Sequence, residues 1–259
     1  MMIDEKDQVR VRTGVVAATL LAWTLLGTYA MRMPAMTTAG IRHPMMAEQA
    51  AIGAGFNEIL HRVSSWLLMV VAMMAPILVG PLELVRANGL ARRRIRSTLL
   101  FLSCYTAVWI SAGGLLLYAS ALADNFRFAQ AFTASLVLIV ALIWQGSPIK
   151  QLCLNRCHTF HAMPAFGSAA DAATLRYGIL HGMWCAASCW PWMLLPMVSP
   201  GSQLRVMALV SLIVFCERLE EPAPVLWRYR GTRRVTRIVA SWVKNSFRMQ
   251  HRREDRLTI

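Results

Sequence analysis

Long runs of apolar residues constrain the fold of this chain more than any other feature. Most of them approach the ~20 residues that an α-helix needs to cross the hydrocarbon core of a bilayer. Only 15% of the residues are charged, whereas a soluble domain carries about 25%. The runs cover residues 13–31, 65–85, 98–123, 129–144, 177–198 and 204–217. The sequence therefore predicts an all-α membrane protein with about six transmembrane helices.

The basic residues predict how the helices are oriented. The formal net charge is +14, and the basic residues lie beside the apolar runs, which favours anionic lipid head groups over nucleic acid as a partner. The strongest positive loop follows the second run and contains Arg86, Arg92, Arg93, Arg94 and Arg96. Because cytoplasmic loops carry an excess of arginine and lysine, we expect this loop and both termini in the cytoplasm. Six spans satisfy that arrangement in a multi-pass protein of the bacterial inner membrane.

Two parts are expected along the chain. Residues 1–222 would form the polytopic transmembrane domain, and residues 223–259 a basic cytoplasmic tail. Apolar tail residues recur at helical spacing, namely Trp227, Val235, Ile238, Val239, Trp242, Val243 and Phe247. This pattern predicts an amphipathic helix on an anionic membrane surface. A second amphipathic segment is predicted at residues 46–63 on the outer surface, and a polar cytoplasmic loop at residues 145–176.

Three candidate metal ligands recur every four residues in the fifth apolar run. They are His181, Cys185 and Cys189. On an α-helix this spacing places three side chains along one face, although Pro191 and Pro196 are expected to break the helix beyond them. Polar groups are costly in an apolar segment, which favours a function for them. The alternative is packing, because small free cysteines are common at helix interfaces.

Further candidate ligands are expected to approach this stripe from other segments. Cys153 and Cys157 precede it in the predicted cytoplasmic loop, and Glu217 ends the sixth run on the same side. Met73 and Met74 lie near mid-depth in the second run, where Pro76 is expected to kink the helix. Thiolate, thioether and imidazole ligands together suit Cu(I) best and Zn²⁺ next. Incidental thiols in an interfacial helix, methionine packing and a solvated helix end remain the alternatives.

Four segments together resemble a known family. They are Trp66 to Pro76 with its Ala-Met-Met-x-Pro core, Ser147-Pro-Ile-Lys-Gln-Leu-Cys-Leu-Asn-Arg-Cys157, His181-Gly-Met-Trp-Cys-Ala-Ala-Ser-Cys-Trp190 followed by Met193, and Glu217-Arg-Leu-Glu-Glu-Pro222. Their types and order resemble a bacterial family of uncharacterised, predicted metal-binding integral membrane proteins, sometimes labelled copper chaperones. The resemblance implies metal binding at Cys153, Cys157, His181, Cys185 and Cys189, and extends it to Glu217. One departure is Ser188, where the family usually has a cysteine.

The function expected from these patterns is metal handling. An inner-membrane protein would bind copper, or zinc, and deliver it, pass it on or assist assembly of a metalloenzyme; no catalytic residue is predicted. One alternative is an accessory subunit that docks onto a larger membrane complex through its helices and basic tail. Another is a thiol oxidoreductase that cycles Cys185 and Cys189, although two cysteines four residues apart on a regular helix are poorly placed for a disulfide.

Overall fold

The described part of the chain is built from helices. The computed structural model describes residues 5–32, 51–124, 130–159, 163–199 and 202–229, and the regular structure in them is entirely helical. The α-helices are α1 (Glu5–Arg32), α2 (Ala51–Met74), α3 (Val79–Asn88), α4 (Arg94–Asp124), α5 (Gln130–Gly146), α6 (Pro148–Cys157), α7 (Gly167–Met197) and α8 (Gln203–Arg218). This confirms the all-α prediction. Most of the predicted amphipathic tail, residues 230–259, and the start of the predicted outer segment, residues 46–50, lie outside the described residues.

Among the described residues, three helical stretches are long and apolar enough to cross a membrane. They are Glu5–Thr28, Val63–Asn88 and Ala91–Leu116. A fourth is possible if Phe132–Gly146 and Pro148–Cys157 count as one span bent by 66°. The apolar helices fit a membrane protein, while the predicted number of six spans remains a prediction. The orientation of the termini also remains a prediction.

Local sequence explains two corrections to the predicted elements. Residues 145–176 are not a simple polar loop, because Ser147 caps α6 by accepting a hydrogen bond from the Lys150 amide at 3.2 Å and Pro148 occupies its first turn. Residues 51–63 are not a separate segment either. They begin α2, which contains no proline and continues without a break to Met74.

Proline has different effects on the backbone at Pro76 and within α7. Pro76 lies at the start of a 3₁₀ turn, Ala75–Leu78, that separates α2 from α3, as expected for a kinked span. In contrast, α7 continues to Met197 through both Pro191 and Pro196. The prediction that these two prolines break the fifth span was therefore wrong. Packing on the neighbouring helices keeps α7 helical despite the lost backbone hydrogen bonds.

The most extensive helix contact among the described residues joins α4 and α7. A Cβ atom added to Gly178 would lie 2.8 Å from the Phe101 carbonyl oxygen, and one added to Gly182 would lie 3.1 Å from the Val108 Cβ. Glycine at both positions lets the backbones approach closely. Three buried aromatic residues of α4, Phe101, Tyr105 and Trp109, recur every four residues in this region. They form one wall of the candidate site.

Ion pairs hold three helix ends together. Asp7 of α1 binds Arg86 at 3.1 Å and also binds Arg94. Asp171 near the start of α7 binds Arg93 at 2.5 Å and Arg96 at 2.8 Å. The start of α1, the α3–α4 connection and the start of α7 therefore lie at one end of the bundle. This is the end that the arginine pattern predicts to be cytoplasmic.

Candidate metal centre

The stripe on α7 is buried and faces α4. His181, Cys185 and Cys189 are 4%, 0% and 1% exposed, and α7 is helical through all three. The His181 ring centroid lies 6.1 Å from that of Phe101 and 6.1 Å from that of Tyr105. The Tyr105 hydroxyl is 3.4 Å from the Cys185 sulfur. The predicted single face therefore exists, and it is enclosed by aromatic rings.

The polar atoms of this stripe differ in whether they have hydrogen-bond partners. The Cys189 thiol donates to the Cys185 carbonyl oxygen at 3.1 Å and also interacts with the Cys185 thiol. The His181 Nε2 atom is buried, and no hydrogen-bond partner for it lies in the described part of the chain. A buried polar atom without a partner costs about 1–3 kcal/mol. A ligand bound to Nε2 would remove that cost.

The two α6 thiols approach the same region. Cys153 and Cys157 are buried, at 3% and 7% exposure, and α6 packs against α7. Cys157 lies near Cys185 and Tyr177 of α7. Cys157 of α6 therefore lies on the side of α7 that carries Cys185, while a metal pocket shared by these thiols stays a prediction.

Arg218 of α8 lies beside the same thiols, and no motif in the sequence singles it out. Its Nη2 donates to the Ser188 Oγ at 3.0 Å, and its guanidinium also interacts with the Cys157 thiol. Cys185 and Cys189 lie nearby as well. We call Arg218, Cys157, Cys185, Ser188 and Cys189 the thiol–guanidinium cluster. The only signal in the sequence is a basic residue at the end of an apolar run, which also fits a topology signal.

Two side chains, those of Asn155 and His158, bind backbone atoms at and beyond the end of α8 and hold this segment beside α6. The His158 Nδ1 lies 2.8 Å from the Leu154 carbonyl oxygen, and its Nε2 lies 3.3 Å from the Arg218 carbonyl oxygen. Asn155 of α6 donates to the Ala223 carbonyl oxygen at 2.7 Å and accepts from the Ala223 amide at 3.2 Å. These contacts position Arg218 between the thiols of α6 and α7.

Glu217 belongs to a different buried network. Its carboxylate accepts from Lys150 Nζ at 2.9 Å and from the Gln145 side-chain amide. Lys150 also donates to Gln145 Oε1 at 2.5 Å, and Trp192 Nε1 donates to the same oxygen at 2.6 Å. The side chains of Lys150 and Glu217 are 0% and 1% exposed. The structure therefore pairs Glu217 with a cation, so a ligand role would require Lys150 to move away.

The two predicted methionine ligands are buried, at 1% exposure for Met73 and 0% for Met74. Met73 lines an apolar groove of about 380 Å³ together with Trp23 of α1, Pro76 and Phe215 of α8. The cysteines instead contact α4 and the end of α8. Within the described part of the chain, no hydrogen bond joins Met73 or Met74 to a thiol, so their role as ligands remains a prediction.

The donor types fit copper better than zinc. Within the described ranges, no three His, Cys, Asp or Glu side chains are arranged to hold a metal ion. Structural zinc sites use four such ligands. Cu(I) is a soft ion that thiolates select, and it accepts as few as two of them. Binding of copper or of zinc at these thiols and at His181 therefore stays a prediction.

Comparison with known proteins identifies the family. A family model described as PpoB2, copper chaperone, matches residues 63–240. The match covers more than half of the chain and includes all four segments on which the resemblance rests. No curated protein and no solved structure matches the chain. The resemblance is thereby confirmed: the chain belongs to the PpoB2 family of copper chaperones.

Proposed function

We propose that the protein is a bacterial inner-membrane copper chaperone that carries Cu(I) in the thiol–guanidinium cluster. The observation that supports the proposal most directly is the meeting of thiols from two helices around one guanidinium. Free cysteines are common as packing residues, but packing does not require a guanidinium beside them. The match to copper chaperones supports copper as the cargo.

Ligand exchange between the two helices would move the ion. Cys153 and Cys157 of α6 would capture Cu(I), and Cys185, Cys189 and His181 of α7 would receive it. Met73 and Met74 would act as weak thioether ligands during passage. All six cysteines are free thiols in the structure, so no disulfide blocks the four thiols of α6 and α7. Each thiol that binds the ion loses its proton to the medium.

The membrane placement is part of the same proposal. Six spans would place both termini and the ion-paired end of the bundle in the cytoplasm, because that end carries the arginine-rich connection. The cluster would then lie in the cytoplasmic half of the bundle. The basic tail, residues 223–259, would bind anionic lipid head groups, and a protein partner would receive the metal.

Metal analysis of purified protein tests the proposed function. The protein would be loaded with Cu(I) under reducing conditions without oxygen, desalted, and analysed for copper by mass spectrometry. The parent should retain about one copper ion per chain, and Cys185→Ser and Cys189→Ser should lose most of it. Cys216→Ser is the matched control, since this partly exposed cysteine lies outside the cluster.

The outcomes separate the alternatives. Retention of copper by the parent and Cys216→Ser, but not by the two α7 variants, supports the proposal. If the parent retains no copper, the chaperone function is wrong for this chain. An accessory subunit would then explain a protein that co-purifies with a partner and tolerates cysteine substitution.

A further inference from the structure

We propose that α6 and the segment that follows α8 form an anchor at the lipid–water interface of the membrane. We call residues 219–229 the strap. The surface that α6 and the strap build together binds the boundary between lipid head groups and acyl chains. This inference rests on the membrane placement in the proposed function, but it does not depend on copper binding.

Hydrogen bonds hold the strap along one side of α6. The Asn155 side chain bonds twice with the Ala223 backbone, at 2.7 and 3.2 Å. Gln151 Nε2 donates to the Arg228 carbonyl oxygen at 2.6 Å, and the Arg228 amide donates to the Gly146 carbonyl oxygen at 3.0 Å. The strap therefore runs back along α6 to the break between α5 and α6.

Besides its buried face and the face that binds the strap, α6 has an exposed face. Cys153 is buried, and Gln151 binds the strap. Ile149 and Leu152 are instead 58% and 40% exposed, and Arg156 is exposed one turn further along. Because consecutive residues of a helix lie about 100° apart, these three residues share a face, and that face lies next to the one that binds the strap.

The apolar side chains of the strap are also exposed. Leu226, Trp227 and Tyr229 are 61%, 71% and 61% exposed. A Cβ atom added to Gly146 would lie 3.6 Å from the Tyr229 ring and 3.8 Å from the Trp227 ring, so both rings lie over the break. The rings and the exposed face of α6 therefore meet there. We call Ile149, Leu152, Leu226, Trp227 and Tyr229 the interfacial surface.

The position of α5 places this surface at the edge of the hydrocarbon region. α5 exposes Ile139, Leu142 and Ile143, and these apolar residues stop just before the break. α5 and α6 meet at an angle of 66°, so α6 lies close to the membrane plane when α5 crosses the bilayer steeply. Tryptophan and tyrosine are enriched at this depth, because each combines an apolar ring with a polar group.

The charges beside the interfacial surface fit lipid head groups. Arg156 on the exposed face of α6 and Arg228 in the strap are both exposed. Apolar side chains flanked by exposed arginines are typical of segments that lie on a membrane surface. The arginines suit head-group phosphates, while the apolar side chains reach the acyl boundary. This combination favours the bilayer over a partner protein.

A nitroxide spin label tests the depth of the strap. Full-length protein is placed in nanodiscs of phosphatidylcholine and phosphatidylglycerol. Leu226→Cys is made in a chain with Cys104→Ser and Cys216→Ser, because these two native cysteines are partly exposed. Accessibility of the label to oxygen and to a water-soluble nickel complex gives its depth. The label at Leu226 should lie about 5–10 Å into the boundary between head groups and acyl chains.

Two further labelled positions serve as controls. Glu221→Cys is the matched control in the same strap, because an exposed acid belongs in water. Its label should be freely accessible to the nickel complex. Ile139→Cys, at an exposed apolar position of α5, should carry a label deeper than the one at Leu226. The same chain without an added cysteine gives the background.

The three labels separate the outcomes. If Leu226 is as accessible to the nickel complex as Glu221, while Ile139 lies in the hydrocarbon region, the inference is overturned and the membrane placement stands. A Leu226 label as deep as Ile139, or one shielded from both oxygen and nickel by a second copy, also overturns the inference. If the Ile139 label lies in water, the membrane placement in the proposed function fails.

The unsubstituted protein provides a second measurement that does not depend on the variants. In the same nanodiscs, a lipid-soluble photoactivated carbene reagent should modify Trp227 more than a water-soluble one does, as read by mass spectrometry of its peptide. Stronger modification of Trp227 by the water-soluble reagent would overturn the inference.

Discussion

The buried pair of Lys150 and Glu217 leads to the most quantitative prediction. Their side chains are 0% and 1% exposed, and Nζ lies 2.9 Å from the carboxylate. At an effective dielectric constant of about 20, the Coulomb attraction at this distance is about 6 kcal/mol. Removing both charges from water costs several kcal/mol for each ion, so the intact pair contributes little net stability.

Replacing only one partner changes the free energy of unfolding far more than the small net contribution of the intact pair. Lys150→Met leaves the Glu217 carboxylate buried with Gln145 and no cation, and Glu217→Gln leaves the Lys150 ammonium without its anion. Each single variant should lower the free energy of unfolding by about 3–5 kcal/mol. The double variant removes both charges and should lie within about 2 kcal/mol of the parent.

Reversible unfolding in mixed detergent micelles, followed by tryptophan fluorescence, measures these differences. Trp192 is a suitable reporter because its indole donates to Gln145 of the same network. Glu83→Gln is the matched control, since it breaks an ion pair of the same kind whose Arg12 side chain is 61% exposed. The control should cost less than about 1 kcal/mol. The reasoning would be refuted if the losses of unfolding free energy in the two single variants added up in the double variant. It would also be refuted if each single variant lost as little unfolding free energy as Glu83→Gln.

Two further predictions concern packing and orientation. Gly178→Ala should destabilise the α4–α7 contact by about 1–3 kcal/mol, because the added Cβ would lie 2.8 Å from the Phe101 carbonyl oxygen. Gly114→Ala is its control, since nothing lies within 4 Å of the added Cβ; equal unfolding midpoints for the two variants would contradict the assigned contact. A fluorescent reporter that matures only in the cytoplasm should be bright when fused after Ile259. A dark fusion, with the protein present in the membrane, would reverse the proposed orientation.

Neighbours on α8 show why the site could be predicted only in part. Glu217 and Arg218 are adjacent in sequence, and the sequence analysis expected the acid to be the ligand. On a helix, consecutive side chains point about 100° apart. The carboxylate therefore binds Lys150, while the guanidinium turns to the thiols. Local spacing does not reveal which of the two faces the cluster, because that depends on how α8 packs.

The sequence by itself determined the helical class, the family and the single face that carries His181, Cys185 and Cys189. These features follow from apolar runs, short motifs and helical periodicity, which are local properties. Only the tertiary structure decided that Lys150 forms an ion pair with Glu217 and that Arg218 lies near the thiols. It also decided that α7 continues through its prolines. Burial and partner choice arise from packing between distant segments, because a buried charge is stable only where another helix supplies its partner.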